Sequence, residues 1–156
     1  MPIYETGYEK GTVHVMKIKS WTIYIASKFH SRYRLRPIKK QLQALGFTVT
    51  SKWMDPDFNI DPSTDVDSLG ANLEASKAEA ESDSIEIEHS DIFIIDTQDI
   101  SESGGREVEL GMAMRDGCHL FRVGPIRNAF HAMVDGYAAW EVLIPHLTKE
   151  FPNEKA

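Results

Sequence analysis

The sequence predicts a three-layer α/β fold, in which a parallel sheet of about five strands carries helices on both faces. Three observations lead to this prediction. Short runs of β-branched and aromatic residues alternate with helical stretches along the chain, a pattern typical of consecutive strand–helix–strand units. The run Asp91–Asp96 (DIFIID) is apolar on both faces, as a buried central strand of a parallel sheet should be. The length of 156 residues fits a single core.

The first half of the chain supplies two predicted strands and one helix. Trp21–Ala26 (WTIYIA) is the first strand, and Ser27–Arg36 is a loop that runs into a helix. Phe47–Trp53 (FTVTSKW) is the second strand, and Asp55–Gly70, rich in aspartate and interrupted by proline, is an exposed loop. The helix between the strands is indicated by Leu35, Ile38, Leu42 and Leu45 at helical spacing, with Gly46 at its C-terminal cap.

The second half continues the alternation. Its predicted elements are helices at Ala71–His89, Gly105–Arg115 and Ala138–Phe151, strands at Asp91–Asp96 and His119–Val123, and a short fifth strand within Asn128–Tyr137. We expect the flavodoxin-like strand order 2-1-3-4-5, a Rossmann-like arrangement. Residues 21–156 form the predicted α/β domain. Residues 1–20 are either an extension or, because Thr12–Ile18 alternates in polarity, an extra strand.

Composition excludes several classes of protein. The net charge of −7 argues against binding to nucleic acid, which requires a surplus of lysine and arginine to neutralise phosphates. The single cysteine, Cys118, rules out an intrachain disulfide and a cysteine-based zinc site. No apolar run reaches membrane-spanning length, and Met1–Lys10 is too polar for a signal peptide. We therefore expect a cytoplasmic protein with no membrane partner, no metal and no cofactor.

The loops that follow the first and third strands, Ser27–Arg32 and Thr97–Arg106, should meet at one crevice, where ligands bind in open α/β sheets. In the second loop, Ser103–Arg106 (SGGR) leads directly into a helix, whose free N–H groups and positive dipole end favour an anion. Glu109 lies in the first turns of that helix. The pattern leaves two readings of Glu109 open: an acid that only stabilises the helix dipole, or a functional carboxylate.

Four stretches between Thr22 and Val123 resemble the nucleoside 2-deoxyribosyltransferase superfamily, and more closely its hydrolytic branch, the 2-deoxynucleoside 5-monophosphate N-glycosidases. The matching residues are Ile23–Ser27 with Phe29, then Asp83 eight residues before Asp91, the strand Asp91–Asp96, and Ser103–Gly111 (SGGREVELG). The resemblance covers roughly two thirds of the chain. It implies the three-layer fold already predicted and an activity on the N-glycosidic bond.

The resemblance also implies three catalytic residues. Glu109 matches the family's catalytic glutamate, which attacks the anomeric carbon of the sugar in the transferases. Asp83 matches an aspartate that assists departure of the base, and Tyr24 matches a tyrosine that contacts the catalytic carboxylate. Without the resemblance, Asp83 is equally well an exposed helix acid and Tyr24 an ordinary core residue.

Substrate binding falls, by the same resemblance, to residues of both loops and of the segment after the fourth strand. These are Ser27, Phe29, His30, Arg32, Ser103, Gly104, Gly105, Arg106 and Asn128. Ser103 stands six residues before Glu109, where transferases that use nucleosides tend to have an aspartate and the monophosphate N-glycosidases have a phosphate-binding serine. A nucleotide is therefore favoured over a nucleoside, although Ser27–Arg32 contains fewer glycines than the first loop of those glycosidases.

We therefore expect hydrolysis of the N-glycosidic bond of a (deoxy)nucleoside 5-monophosphate. The alternatives are a deoxyribosyltransferase that exchanges bases and a non-catalytic nucleotide-binding module. Members of the family complete each site with residues of a neighbouring subunit, so the resemblance implies a homodimer or larger homo-oligomer. Asn128, Phe130 and His131 lie where such contributions arise, although ordinary loop packing is favoured for His131. The first loop lacks a dinucleotide-binding glycine pattern, and no Walker loop is present.

Overall fold

The computed structural model describes residues 20–57 and 73–153 in full and, of residues 1–19, only the backbone of four two-residue strands. Its centre is a five-stranded sheet in which every neighbouring pair is parallel. The strands are β1 (Thr22–Ala26), β2 (Thr48–Val49), β3 (Ile92–Asp96), β4 (His119–Val123) and β5 (Asp135–Tyr137). Their order is β2-β1-β3-β4-β5. The predicted fold class and strand order are therefore confirmed.

Helices cover both faces of this sheet. They are α1 (Arg32–Ala44), α2 (Leu73–Glu88), α3 (Gly105–Asp116) and α4 (Trp140–Glu150). Helices α2 and α3 pack against each other, and α3 lies on β1 and β3. On the other face, Arg34 of α1 and Trp140 of α4 both bind the carboxylate of Asp96 at the end of β3.

The core is centred on β1 and β3, which the helices cover on both faces. Ile23–Ala26 and Ile92–Ile95 are completely buried. Burial of one isoleucine side chain contributes about 1.5–3 kcal/mol, which explains why runs apolar on both faces occupy the two central positions. The rings of Tyr24 and Phe93 are stacked across the two strands, with centroids 5.8 Å apart. This stacking fixes the position of the Tyr24 ring.

The second strand is shorter than the sequence predicts. Of the predicted Phe47–Trp53, only Thr48–Val49 pairs with β1, and Lys52–Met54 forms a 3₁₀ turn. The turn is stabilised from inside, because the Trp53 indole Nε1 donates a hydrogen bond to the Ile25 carbonyl at 2.7 Å. Alternating polarity extends through this segment, but the buried indole bond takes the chain out of the strand conformation.

The N-terminal region contains two antiparallel strand pairs that are separate from the five-stranded sheet. Tyr4–Glu5 pairs with Lys17–Ile18, and Tyr8–Glu9 pairs with Thr12–Val13. The predicted strand Thr12–Ile18 is therefore represented by its two ends, and the division of the chain at residue 20 stays a prediction. Most of the predicted loop Asp55–Gly70 lies outside the described residues. Within residues 20–57 and 73–153, no helix has the length and apolar character needed to span a bilayer.

Candidate active site

A cavity of about 260 Å³ opens between α2, α3 and the loop that follows β1, a volume on the scale of a small molecule. It lies at the carboxyl end of the sheet, where the parallel strands direct their loops. Two aromatic side chains and several aliphatic ones form much of its wall, and carboxyl and hydroxyl groups form the rest. The lining residues are Ser27, Phe29, Trp53, Ser76, Glu79, Ala80, Asp83, Ser103, Gly105, Arg106, Val108, Glu109 and Met112.

Glu109 lies in the second turn of α3, with part of its side chain exposed to the cavity. Its Oε2 atom is buried and has no hydrogen-bond partner among the described residues. Burial, and then the negative charge of Asp83, raises the pKa of Glu109 to about 8, while hydrogen bonding with Tyr24 acts in the opposite direction. A carboxyl group with this pKa exchanges its proton near neutral pH, as a catalytic acid or base must.

Asp83 faces Glu109 from α2 across the cavity. Burial, and then the charges of Glu86 and Glu79, raises the pKa of Asp83 to about 7, and hydrogen bonding with Tyr24 lowers it. The two glutamates come four residues before and three residues after Asp83, so helical periodicity brings all three carboxyl groups to one face of α2. Asp83 and Glu109 therefore titrate as an interacting pair near neutral pH.

Tyr24 lies between the two carboxyl groups and the core of the sheet. Its side chain is completely buried, and its hydroxyl group makes no hydrogen bond of standard geometry with a described residue. The hydroxyl is nevertheless close enough to both Glu109 and Asp83 to lower their pKa values. Burial, and then the charge of Glu109, raises the pKa of Tyr24 well above 10, so the hydroxyl stays protonated and acts as a donor toward the pair.

The start of α3 forms the end of the cavity nearest the β3 loop. Gly104 has a φ of 75°, a left-handed conformation that favours glycine, and it caps the helix without a side-chain hydrogen bond. Ser103 and Gly105 line the cavity, and the Ser103 side chain is exposed. The first-turn amide groups, without a capping side chain, are therefore suited to an anion that enters the cavity.

Arg106 lines the cavity, but its guanidinium is engaged within the protein. Its Nε atom is 3.0 Å from Glu107 Oε1, and its Nη1 atom donates to the carbonyl oxygens of Asp99 at 2.7 Å and Asp96 at 3.3 Å. Only 3% of the surface of Arg106 is exposed to solvent. Arg106 thus anchors the loop between β3 and α3, which differs from the phosphate-binding role expected from the sequence.

The remaining predicted binding residues divide into two groups. Ser27 and Phe29 line the cavity, and the Ser27 hydroxyl donates to the Asp96 carbonyl at 3.0 Å. His30 and Arg32 lie outside the lining of this cavity, and the Arg32 guanidinium stacks over the Phe29 ring at 4.1 Å. The expected contact of these two residues with a substrate stays a prediction.

Asn128 also lies outside the cavity lining, in the segment after β4. Its Oδ1 atom accepts a hydrogen bond from the His131 backbone N–H at 3.1 Å, so within one chain it organises its own loop. His131 is completely buried, and its Nε2 atom is 3.0 Å from Glu107 Oε1. Loop packing, which the sequence favours for His131, agrees with this arrangement.

Sequence reasoning missed the full extent of the acidic wall. Ser76, Glu79, Ala80 and Asp83 line the cavity together from one face of α2. The spacing of three and four residues that unites them is visible in the sequence and could have identified Glu79 beside Asp83. Within the described ranges, no cluster of three or more His, Cys, Asp or Glu side chains is arranged to hold a metal ion.

Comparison with known proteins supports the fold. No protein-family model matches the chain, and no curated protein matches its sequence. Among solved structures, the 2-deoxyribosyltransferase of Bacillus psychrosaccharolyticus is similar, with a TM-score of 0.58 and 17% identity over 86% of this chain and 98% of that one. The resemblance predicted from the sequence is therefore confirmed as a likeness of fold.

Two further solved structures are similar to the chain to different degrees. The CMP N-glycosidase BcmB of Clostridium botulinum has a TM-score of 0.48 and 18% identity over 82% of this chain and 98% of that chain. DNA processing protein A of Helicobacter pylori, a protein that binds single-stranded DNA, has a TM-score of 0.56 and 12% identity over 85% of this chain and 82% of that chain. Because the transferase and this DNA-binding protein share the fold, function must be argued from the site.

Proposed function

We propose that the chain hydrolyses the N-glycosidic bond of a (deoxy)nucleoside 5-monophosphate and releases the free base and a sugar phosphate. The observation that carries this proposal is the meeting of Glu109 and Asp83 in one cavity beside the buried Tyr24 hydroxyl. A double displacement at an anomeric carbon uses two carboxyl groups at one site, one as the nucleophile and one as the acid and base.

In the first step, ionised Glu109 attacks the anomeric carbon of the sugar. The bond from that carbon to the base nitrogen breaks, its electron pair leaves with the base, and Asp83 supplies the proton that neutralises the leaving nitrogen. In the second step, ionised Asp83 removes a proton from water, the hydroxide oxygen attacks the same carbon, and the bond to Glu109 breaks. The enzyme returns to its starting protonation, and one water molecule is consumed.

The reaction requires the proton of the pair on Asp83 and the negative charge on Glu109. Burial and neighbouring carboxylates raise the pKa values of both groups, so the pair shares a proton near neutral pH. Positive charge that develops on the sugar ring next to Glu109 stabilises its ionised form, and the Tyr24 hydroxyl acts in the same direction. The remaining proton is then available on Asp83 for the base.

The 5-phosphate fits the start of α3. Ser103 offers a hydroxyl group, and the uncapped first turn offers backbone N–H groups and the positive end of the helix dipole. With the Arg106 guanidinium engaged elsewhere, the phosphate relies on these neutral donors.

The proposal includes three further expectations. Residues 21–156 form the catalytic unit, the protein is cytoplasmic, and it forms a homo-oligomer with shared sites. The oligomer is supported by Phe130 and Met133, two exposed apolar side chains close together in the segment after β4 where the sequence predicts contributions from a neighbouring subunit.

A product assay tests the reaction. The full chain is incubated with nucleoside monophosphates and the corresponding nucleosides, with and without an added free base, and the products are separated by chromatography. We expect free base from monophosphates in water alone, and a loss of at least about 10³-fold in kcat for Glu109→Gln. Glu150→Gln, an exposed acid at the end of α4, is the matched control and should retain full activity.

Other results of the same assay would contradict the proposal. Base exchange only in the presence of an added base would identify a transferase. Nucleotide binding without any product would identify a binding module. Substantial hydrolysis by Glu109→Gln would show that this carboxyl group is not the nucleophile.

A further inference from the structure

Glu79 is an acid of the cavity wall that the proposed reaction does not use. It lines the cavity from α2 one helical turn before Asp83, about 6 Å along the helix axis. It forms no hydrogen bond or ion pair with another residue in the described ranges. Burial alone raises its pKa, so the carboxylate is partly desolvated without a compensating partner among those residues. A carboxylate in this condition is suited to accept hydrogen bonds from a ligand.

Two further observations indicate that the cavity receives a polar ligand. The completely buried Tyr24 hydroxyl and the buried Glu109 Oε2 atom both lack a standard hydrogen-bond partner among the described residues. Phe29 and Trp53, which are both nearly buried, present aromatic surface in the same cavity. A flat heterocycle with polar edges satisfies both features, because its faces pack on aromatic rings and its edges form hydrogen bonds.

The order of groups along the cavity determines which edge reaches Glu79. In the proposed reaction the sugar phosphate lies toward Ser103 and the anomeric carbon lies at Glu109, so Asp83 stands beside the glycosidic nitrogen of the base. The next residue along the same face of α2 is Glu79, which therefore meets the part of the base remote from the sugar. In both pyrimidines and purines this part carries either an exocyclic amine or a carbonyl oxygen.

We propose that Glu79 is a specificity residue that selects nucleotides whose base carries an exocyclic amine and disfavours those that carry a carbonyl oxygen in its place. An ionised carboxylate only accepts hydrogen bonds, so it pairs with the amine and repels the carbonyl oxygen. The inference rests on the proposed function for the direction in which the nucleotide lies. The substrate class is therefore cytosine- or adenine-type monophosphates rather than uracil- or hypoxanthine-type monophosphates.

The first arm of the test measures binding without turnover. Calorimetry on Glu109→Gln compares cytidine with uridine monophosphate and adenosine with inosine monophosphate, because the members of each pair differ at the amine position. One of the two pairs will bind with higher affinity. Within that pair, we expect the amine-bearing nucleotide to bind at least about tenfold more tightly than the carbonyl-bearing one. Adding Glu79→Gln should bring that ratio within about threefold of unity, because an amide both donates and accepts. Adding Glu81→Gln, an exposed acid of the same helix, should leave the ratio unchanged.

The second arm measures kcat/KM for the same pairs with the wild-type chain and with the Glu79→Gln and Glu81→Gln variants. Loss of selectivity in Glu79→Gln with retained turnover supports a role in specificity. Equal affinity for both members of each pair, an unchanged ratio in Glu79→Gln, or no binding of any monophosphate would overturn the inference. Turnover without selectivity leaves the proposed reaction intact and refutes the role of Glu79. Selective binding without turnover supports the role of Glu79 and refutes the proposed reaction.

Discussion

At the scale of single residues, Glu109 shows that a reactive carboxyl group reduces the stability of the fold that holds it. Its pKa rises from 4.5 to about 8 in the folded chain, mainly because the group is buried. The folded state therefore binds a proton more tightly than the unfolded state does. As pH rises from about 4.5 to about 8, that proton is lost from both states, and the advantage of the folded state is lost with it.

We therefore predict that the free energy of unfolding of the wild-type chain falls across this pH range. Glu109→Gln has no proton to lose, so it should show a shallower slope and exceed the wild type above pH 8 by up to about 5 kcal/mol, which is the equivalent of the rise from 4.5 to about 8 at about 1.4 kcal/mol per pKa unit. Part of the slope should remain, because the raised pKa of Asp83 acts in the same direction. Urea unfolding between pH 4 and 9 measures the effect, with Glu150→Gln as a control that retains the wild-type slope. If the free energy of unfolding depends on pH in the same way in the wild type and in Glu109→Gln, the prediction is wrong.

At the scale of secondary-structure elements, Asp96 connects three of them. Its completely buried carboxylate receives two hydrogen bonds from Arg34 of α1, at 2.9 and 3.0 Å, and one from Trp140 of α4 at 2.7 Å. The backbone N–H of Gln98 donates a further bond at 3.0 Å. These donors satisfy both oxygens of the buried carboxylate, which holds the two helices of one face to the end of the central strand.

Arg34→Ala leaves that buried charge without its cationic partner. We expect it to lower the free energy of unfolding by about 3 kcal/mol, measured by urea titration at pH 7. Lys77→Ala removes the exposed pair with Glu74, 3.7 Å apart on α2, and should change stability by less than about 0.5 kcal/mol. A loss below about 1 kcal/mol in Arg34→Ala would mean that Trp140 and the loop hold Asp96 without Arg34.

The bounds of the strands show how much of the fold can be predicted from the sequence. Runs that are apolar on both faces identify β1 and β3, and the strand–helix alternation predicts the parallel order, because both follow from local pattern and burial. The end of β2 does not follow from local pattern, since it depends on the Trp53 indole reaching a carbonyl oxygen of β1. The Arg34–Asp96 pair joins residues 62 positions apart, beyond the reach of any periodicity.

The candidate site, like the fold, is predicted from the sequence only in part. Glycines before a helix predict the start of α3, and the resemblance predicts that Glu109 faces Asp83 and Tyr24, which the structure places together. Arg106 carries the right charge at the right position for a phosphate, yet tertiary hydrogen bonds direct its guanidinium into the protein. The acceptors lie only seven and ten residues earlier, but they reach Arg106 because the loop after β3 folds back on the start of α3, which spacing alone does not reveal.

At the scale of the whole molecule, the segment after β4 presents exposed apolar side chains. Phe130 is 62% exposed and Met133 is 70% exposed. We predict that the chain, of 17.6 kDa, elutes as a multiple of that mass in light scattering coupled to size exclusion, and that Met133→Asp dissociates it. Val142→Asp, at an equally apolar and 56% exposed position on α4, is the control and should leave the assembly intact. A monomeric wild type, or equal dissociation by both variants, would contradict the proposed interface.

The buried hydrogen bond between His131 and Glu107 connects that segment to the helix that carries Glu109. The Arg127 backbone N–H donates to the His131 Nδ1 atom at 3.1 Å, and the Nε2 atom lies 3.0 Å from Glu107 Oε1 and 3.2 Å from Asn128 Nδ2. The hydrogen bond thus joins the segment after β4 to the first turn of α3. If a neighbouring copy stabilises the segment, linkage requires that substrate bound at α3 strengthen assembly by the same free energy with which assembly strengthens binding. Affinity for the nucleotide would then depend on protein concentration, and the enzyme would respond to its own abundance.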